Sequence, residues 1–313
     1  MLLTVTCNPT IDRTLHVAQL AVGEVHRATS VHMAAGGKGL NVTRAARTLG
    51  CPVLATAPLA GHAGRLMADL AIAEGIDAAW HWLPSGETRT CLLINHATGD
   101  TTVINEPGEA ISEAAWRDFA VHVEQLAGQA QAITFAGSWP PGVNPAHLSR
   151  LARRLATPQR AVYVDTSGAA LSAALAEPAG LVIKVNRAEL VAGLSYGGDN
   201  FSEQEVLAAG QQLLDRGAAL VVVTAGREGA LAITTQGWWQ AQAPQVNVVS
   251  TVGSGDSLLA GLAVARLWGQ SVEAALAYGV ACGAANATTN LPGRFERKTV
   301  ETLLKQVKIK RDA

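Results

Sequence analysis

Cysteine is scarce: Cys7, Cys51, Cys91 and Cys282 are spread over 313 residues without a CxxC pair. That excludes a disulfide-stapled scaffold and points to a reducing, cytoplasmic setting. No sign of charge dominates either, with 24 Lys and Arg against 25 Asp and Glu for a net charge of −1. A nucleic-acid partner would call for a basic stripe. The one basic cluster, Lys305, Lys308, Lys310 and Arg311, reads as a solvated helix end, so no nucleic-acid partner is expected. Long apolar runs are missing: the stretch over about 258–287 is broken by Arg266, Gln270 and Glu273. It falls short of the ~20 residues a membrane span needs, and no membrane partner is expected. The opening residues 1–9 carry no cationic leader, which argues against a signal peptide. Lysine is the rarest charge, six in all, and four of these crowd the last sixteen residues. Only Lys38 and Lys184 stand upstream, where a compact, mobile point charge does what the planar Arg fork does not.

Several catalytic signatures are also missing. Gly37-Lys38 is followed by Gly39 and has His32 where a Walker loop needs its first glycine. Leu258 stands where a dinucleotide fingerprint beginning at Gly253 needs a third glycine, and neither HExxH nor GxSxG occurs.

What is present is a chain 49% apolar, long enough for a large core and too apolar to be disordered. Short apolar or alternating runs predict strands at 2–6, 53–57, 132–136, 161–164, 181–185 and 220–224. Helical patterns fall at 40–49, 64–74, 112–126, 145–155, 188–192, 202–216 and 256–268. This alternation predicts an α/β fold with a mainly parallel sheet flanked by helices, and ligands bind beyond the carboxyl ends of such strands. Two stretches break the rhythm. Residues 13–32 alternate around Gly23-Glu24, and residues 88–105 around Thr98-Gly99-Asp100. Both read as β-hairpins, so the expectation is one domain over 1–313 with a small β-hairpin lid formed by about 13–33 and 87–106. An exposed face of that lid would need cover from a ligand or a second subunit.

Two glycine-rich turns carry the chemistry. The first to weigh is Ser250-Thr251-Val252-Gly253-Ser254-Gly255-Asp256-Ser257, which runs into an apolar helix. Converging N–H groups and the helix dipole make such a turn an anion cradle suited to a transferring phosphoryl group. Asp256 is either an N-cap or a general base facing a hydroxyl. The other turn is Gly36-Gly37-Lys38-Gly39-Leu40-Asn41, whose glycines allow close approach to a polyhydroxylated ligand. There Lys38 could meet an anion and Asn41 could bridge hydroxyls, or the segment is a flexible turn with a solvated lysine.

With both turns in this order and at this separation, the chain resembles the carbohydrate kinases of the PfkB/ribokinase family along essentially its whole length. Within it the closest resemblance is to the phosphosugar branch of 1-phosphofructokinase and tagatose-6-phosphate kinase. That rests on Asn8-Pro9-Thr10-Ile11-Asp12, the turn carrying Lys38, Gly86-Glu87-Thr88-Arg89 and Gly137-Ser138-Trp139-Pro140-Pro141-Gly142. The resemblance implies a ribokinase-like fold and assigns roles. Asp256 would be the base, and Gly253, Ser254 and Gly255 the anion hole. Asp12, Gly36, Gly37 and Asn41 would bind the sugar, with Lys38, Arg89 and Ser138 on the phosphate it already carries. Arg27 would reach that phosphate in a neighbouring subunit. Lys184, Asn186, Thr224, Gly226, Gly229 and Asn286 would bind the nucleotide, Asn286 at the adenine. Asn186 and Glu189, three apart on an opening helical turn, would position Mg²⁺ through its water shell, with Asp165 a further candidate nearby. Ser254 replaces the commoner Ala, Val185 replaces the usual Pro before Asn186, and Arg227 is unusual in its turn.

The expected activity is transfer of the γ-phosphoryl group of ATP, with Mg²⁺, to a primary hydroxyl of a ketohexose monophosphate by a cytoplasmic homodimer joined through its lids. Two alternatives remain. One is a kinase of an unphosphorylated sugar or nucleoside on the same fold, against which Lys38 and Arg89 count. The other is a non-catalytic sugar-phosphate or nucleotide binder, against which the intact Asp256, Asn186 and Glu189 count.

Overall fold

The computed structural model describes residues 1–96, 101–194 and 202–311. Its main sheet places β1 (Leu2–Val5) between β4 (Val53–Thr56) and β9 (Ala132–Ala136), and continues through β10 (Ala161–Asp165), β11 (Leu181–Asn186) and β12 (Leu220–Thr224), all parallel. Three antiparallel strands extend it: β13 (Ala230–Thr234), β14 (Gly237–Gln242) and β15 (Lys308–Arg311). The six parallel strands are those expected from the sequence, within a residue at each end.

Successive side chains of each strand enter opposite cores, as a period of two requires. Leu220 and Val222 of β12 join one cluster with α1 (Lys38–Thr48), α8 (Ser254–Leu267), α9 (Val272–Ala287) and α10 (Arg297–Leu304). Val221 and Val223 join the other, under α3 (Glu113–Ala127), α4 (Ala146–Leu155), α5 (Gly168–Ala176), α6 (Arg187–Leu194) and α7 (Glu203–Asp215). The helix expected at 64–74 is α2 (Gly61–Ala73), and a two-stranded pair, β5 (Pro58–Leu59) and β6 (His81–Trp82), lies beside it in the chain.

The two hairpin segments form one four-stranded sheet, in the order β3 (Ser30–Gly36), β2 (Thr10–Val17), β7 (Arg89–His96), β8 (Thr101–Asn105). Its central pair, β2 and β7, is parallel. The expected turn at Thr98-Gly99-Asp100 lies outside the described residues. Strand β2 begins earlier than expected, so Asp12 belongs to this sheet and not to a loop after β1. Register then divides the sheet's faces. Asp12, Arg89, Cys91, Val103 and Asn105 share one face; Leu15, Val31, Met33, Leu92 and Ile104 share the other. On that second face Val31, Met33 and Ile104 are 50%, 39% and 54% exposed.

One expectation is corrected. Lys308, Lys310 and Arg311 do not end a helix: they form β15, with Ile309 packed against the core between them. Only Lys305 caps a helix, α10. Alternating charge and core contact is edge-strand chemistry, in which charges keep a sheet edge from pairing further.

Candidate active site

A cleft of about 730 Å³ opens where the carboxyl ends of the parallel strands face the polar side of the second sheet. Asp12, Gly37, Lys38, Asn41, Arg89, Ser138, Lys184, Asn186, Glu189, Thr224, Gly253, Gly255 and Asp256 all line it. Of the remaining candidates, Gly36 and Ser254 support lining residues. Gly226, Gly229 and Asn286 are not among the cleft's lining residues.

At one end Gly253 caps α8 in the left-handed region (φ 79°), where a Cβ would also lie 2.6 Å from Pro292 Cβ. That turn aims the first N–H groups of α8 outward. Ser254 N bonds Thr251 O and Ser257 N bonds Gly253 O, while among the described residues the N–H groups of Gly255 and Asp256 bond no backbone acceptor. Orphan donors at a helix start form an anion site. Asp256 is not the N-cap. It sits in the first helical turn, 5% exposed, with Oδ2 accepting from Asn41 Nδ2 at 2.8 Å. Burial first, and the Asp165 charge second, raise its pKa, against the pull of Lys38, the Asn41 hydrogen bond and Lys184.

Asp165, at the end of β10, is fully buried between two ammonium groups, Lys184 Nζ at 2.7 Å and Lys38 Nζ at 3.3 Å. Burial works to raise its pKa, but the two lysines outweigh it and hold the carboxylate ionised. In turn Asp165 is the main reason that the Lys38 pKa is raised. Each Asp165 oxygen thus spends part of its acceptor capacity on a lysine, and the carboxylate's main contacts are these two ammonium groups.

At the other end, Asn8 ties the wall together: its carbonyl accepts from Arg89 Nη2 at 3.2 Å and its Nδ2 donates to Ser138 Oγ at 3.2 Å. Asn8 was legible only as part of the opening motif. Arg89 Nη1 also donates to Glu106 O at 2.9 Å, and among the described residues its buried Nε–H has no partner. Asp12 stands on the strand beside it. Gly36 is required there because a Cβ would lie 2.3 Å from the Asp12 carboxyl. Burial pushes the Asp12 pKa up to about 6, against the pull of Arg44 and Arg89.

Asn186 and Glu189 brace one another: Asn186 N donates to Glu189 Oε2 at 2.9 Å, and Glu189 N to Asn186 Oδ1 at 2.8 Å. This reciprocal cap fixes Asn186 without the proline that Val185 replaces. Thr224 Oγ1 donates to Val185 O across β11 and β12 at 3.3 Å. Gly226 opens a short 3₁₀ turn, and a Cβ on Gly229 would strike Ala241 O, so Gly229 serves the close approach of its own chain.

Asn286 corrects the expectation placed on it. It is fully buried, and its amide is filled by protein: Nδ2 donates to Val252 O at 2.8 Å and Ser254 Oγ at 3.2 Å, while Oδ1 accepts from Ser257 Oγ at 3.1 Å and Gly293 N at 2.7 Å. An amide has two donors and two acceptor lone pairs, so nothing is left for adenine. Asn286 instead braces the turn that makes the anion site. Arg27 is exposed on the connection between β2 and β3, away from its own cleft. Among the described residues no group of three or more His, Cys, Asp or Glu could hold a metal ion, and no helix is long and apolar enough to cross a membrane.

The profile of the pfkB family carbohydrate kinases matches residues 5–296. Among solved structures, phosphofructokinase-2 from Escherichia coli in complex with potassium superposes with a TM-score of 0.90 at 28% identity, covering 97% of this chain and 98% of that one. The same enzyme has been solved with fructose-6-phosphate, at a TM-score of 0.88 and 28% identity over 97% and 98% of the two chains. A possible 1-phosphofructokinase from Thermotoga maritima matches with a TM-score of 0.87 at 22% identity over 100% of both chains. Ribokinase from Thermotoga maritima gives 0.76 at 20% identity over 97% of this chain and 99% of that one. At these lower identities the last two establish the ribokinase-like fold alone.

Proposed function

The chain belongs to the pfkB family of carbohydrate kinases, and from that premise we propose that it is a sugar-phosphate kinase that transfers the γ-phosphoryl group of ATP to a primary hydroxyl of a ketohexose monophosphate. The observation that carries this is one cleft holding two anion sites. The unspent N–H groups at the start of α8 lie beside the buried Asp256, and Arg89 and Ser138 occupy the far wall. A free sugar would leave the second site unpaired, an arrangement that selects against it. The Escherichia coli enzyme solved with fructose-6-phosphate supports the same class of acceptor.

Asp12 accepts hydrogen bonds from sugar hydroxyls, while Arg89 gives the resident phosphate the N–H groups not spent on Asn8 and Glu106. Lys38, running past Gly137 to Asp165, adds its remaining donors. Asp256, held by Asn41, takes the hydroxyl proton at its free oxygen, and the Gly253–Gly255 turn, with Lys184 about 3 Å from the Cβ position of Gly255, absorbs charge developing on the phosphoryl group. Asn186 and Glu189 fit a hard cation held through water, because both present oxygen and each spends only part of its acceptor capacity on the reciprocal cap. They would hold Mg²⁺, which neutralises charge on the ATP phosphates. Thr224 and the turn at Gly226 lie toward the nucleotide. The four-stranded sheet is the lid of a single folding unit, and its apolar outer face pairs with another copy in a cytoplasmic homodimer.

The test is ADP release by the purified protein with fructose 1-phosphate, fructose 6-phosphate, tagatose 6-phosphate and fructose, with Asp256→Asn in parallel. Turnover of one phosphorylated sugar, lost in the variant, is expected. Equal turnover of fructose would remove the second anion site from the reading, and silence with every sugar would return the protein to a binding role.

A further inference from the structure

Arg44 does not line the cleft, yet it is a buried guanidinium, 6% exposed, with most of its donors committed. Nε and Nη2 grip Glu74 as a fork at 2.7 and 2.9 Å, and Nη2 also donates to Ala35 O. Nη1 donates to Asn41 Oδ1 at 3.0 Å. Glu74, at the C-cap of α2, is itself held by Arg294 at 2.9 Å. Asn41 and Arg44 lie three apart on α1, so one helical face presents both. A buried ion pair costs desolvation that its own attraction only partly returns, so its contribution is sought in what it orients.

We propose that Arg44 is a positioning residue for phosphoryl transfer: it fixes the amide of Asn41 so that its NH₂ group, and not its oxygen, faces Asp256. An Asn amide is nearly symmetric in shape and opposite in chemistry at its two ends. A guanidinium can only donate, so Oδ1 must face Arg44, and Nδ2 is thereby turned to the carboxylate. Without Arg44 the amide is free to turn over. Its oxygen would then repel the Asp256 carboxylate or accept a proton from the acid form, and either outcome takes the base out of service. Other charges facing Asp256 are Lys38 on α1, Lys184 on β11, Asp165 on β10 and Asp12 on β2. None of them hydrogen-bonds to the Asn41 amide, whose partners are Asp256 and Arg44.

The inference takes from the proposed function only that Asp256 is the base, and its test has a readout independent of turnover. Asp256 is titrated by ¹³C-carboxyl NMR, with Asp256→Asn for assignment, in the wild type, Arg44→Met, Arg44→Lys, Asn41→Ala and Arg44→Met/Asn41→Ala, alongside kcat and KM across pH. In Arg44→Met the Asp256 titration and the acid limb of kcat are expected to move up by at least one pH unit. At pH 7 kcat should fall 10- to 100-fold, with the KM for MgATP within twofold. Arg44→Lys, which can still donate to Asn41, should recover part of the shift, and Arg44→Met should add nothing in the Asn41→Ala background. Glu74→Gln, which loosens the fork, gives a smaller shift in the same direction and serves if Arg44→Met does not fold. An unmoved titration in folded variants, or an equal shift with and without Asn41, would overturn the proposal. A wild type silent towards every sugar would instead sink the kinase reading, while the titration still decided the role of Arg44.

Discussion

Asp256, which is buried, and Asp12, which is half-buried, are two carboxylates set to different tasks by their neighbours. Removing the proposed base by Asp256→Asn is expected to lower kcat by about 10²- to 10⁴-fold, the range of general-base contributions. For Asp12, the folded protein favours the protonated acid, because its pKa stands at about 6 against the usual 3.8. The stability linked to this group is therefore fully present below 3.8 and lost as pH rises through about 6. Asp12→Asn should accordingly stabilise the protein at pH 8 by on the order of 2–3 kcal/mol, a gain that fades towards pH 4, as denaturant melts at both values would show. The same variant should raise the sugar KM, and in the wild type that KM should climb as pH falls through about 6. Much of this scale was legible: the turn holding Asp256, and the two upstream lysines, stand out in the sequence. Arg44 and Asn286 do not, since a buried bracing residue looks like any other until the fold shows what it touches.

Among the elements, the strand pair β2 and β7 converts a period of two into function, sending Asp12, Arg89 and Cys91 to the cleft and Leu15 and Leu92 away from it. Gly36→Ala would press a methyl into the Asp12 carboxyl, and a rise of more than about tenfold in sugar KM with unchanged MgATP KM is expected, since a misplaced binding group costs on that scale. The parallel strands were readable because each is a short apolar run ending at a turn. Helix α9 was not: it is apolar nearly all round and buried, so it lacks the amphipathic period that marks a surface helix. Strand β15 was hidden because its charges suggested a solvated end, and only pairing with β14 shows Ile309 turned inward.

For the whole molecule, the apolar outer face of the second sheet is the feature that a monomer leaves uncovered. Replacing Ile104 and Val31 by Glu is expected to convert a dimer into monomers in sedimentation velocity and to raise sugar KM several-fold, because a lid without its support closes less often. A wild type that sediments as a monomer at micromolar concentration would remove the dimer from the proposal. The α/β class and the positions of the six parallel strands along the chain could be read in advance. That the two hairpins share one small sheet was expected as well, but the parallel pairing of β2 with β7 that joins them was not, because it spans residues that no local pattern connects.

Strand β1 also sets the tempo at which this architecture can form. It is the first strand of the chain, yet it lies between β4 and β9, pairing Leu2 with Val53 on one side and Ala132 on the other. Its second partner thus arrives only after a loop of more than a hundred residues has closed, and closure entropy must be met before that pairing stabilises anything. Until then β1 keeps one open edge and the apolar residues Leu2, Leu3 and Val5 stay uncovered. Refolding should therefore be slow and sensitive to protein concentration, with aggregation competing at the stage when the first half of the sheet waits for the second.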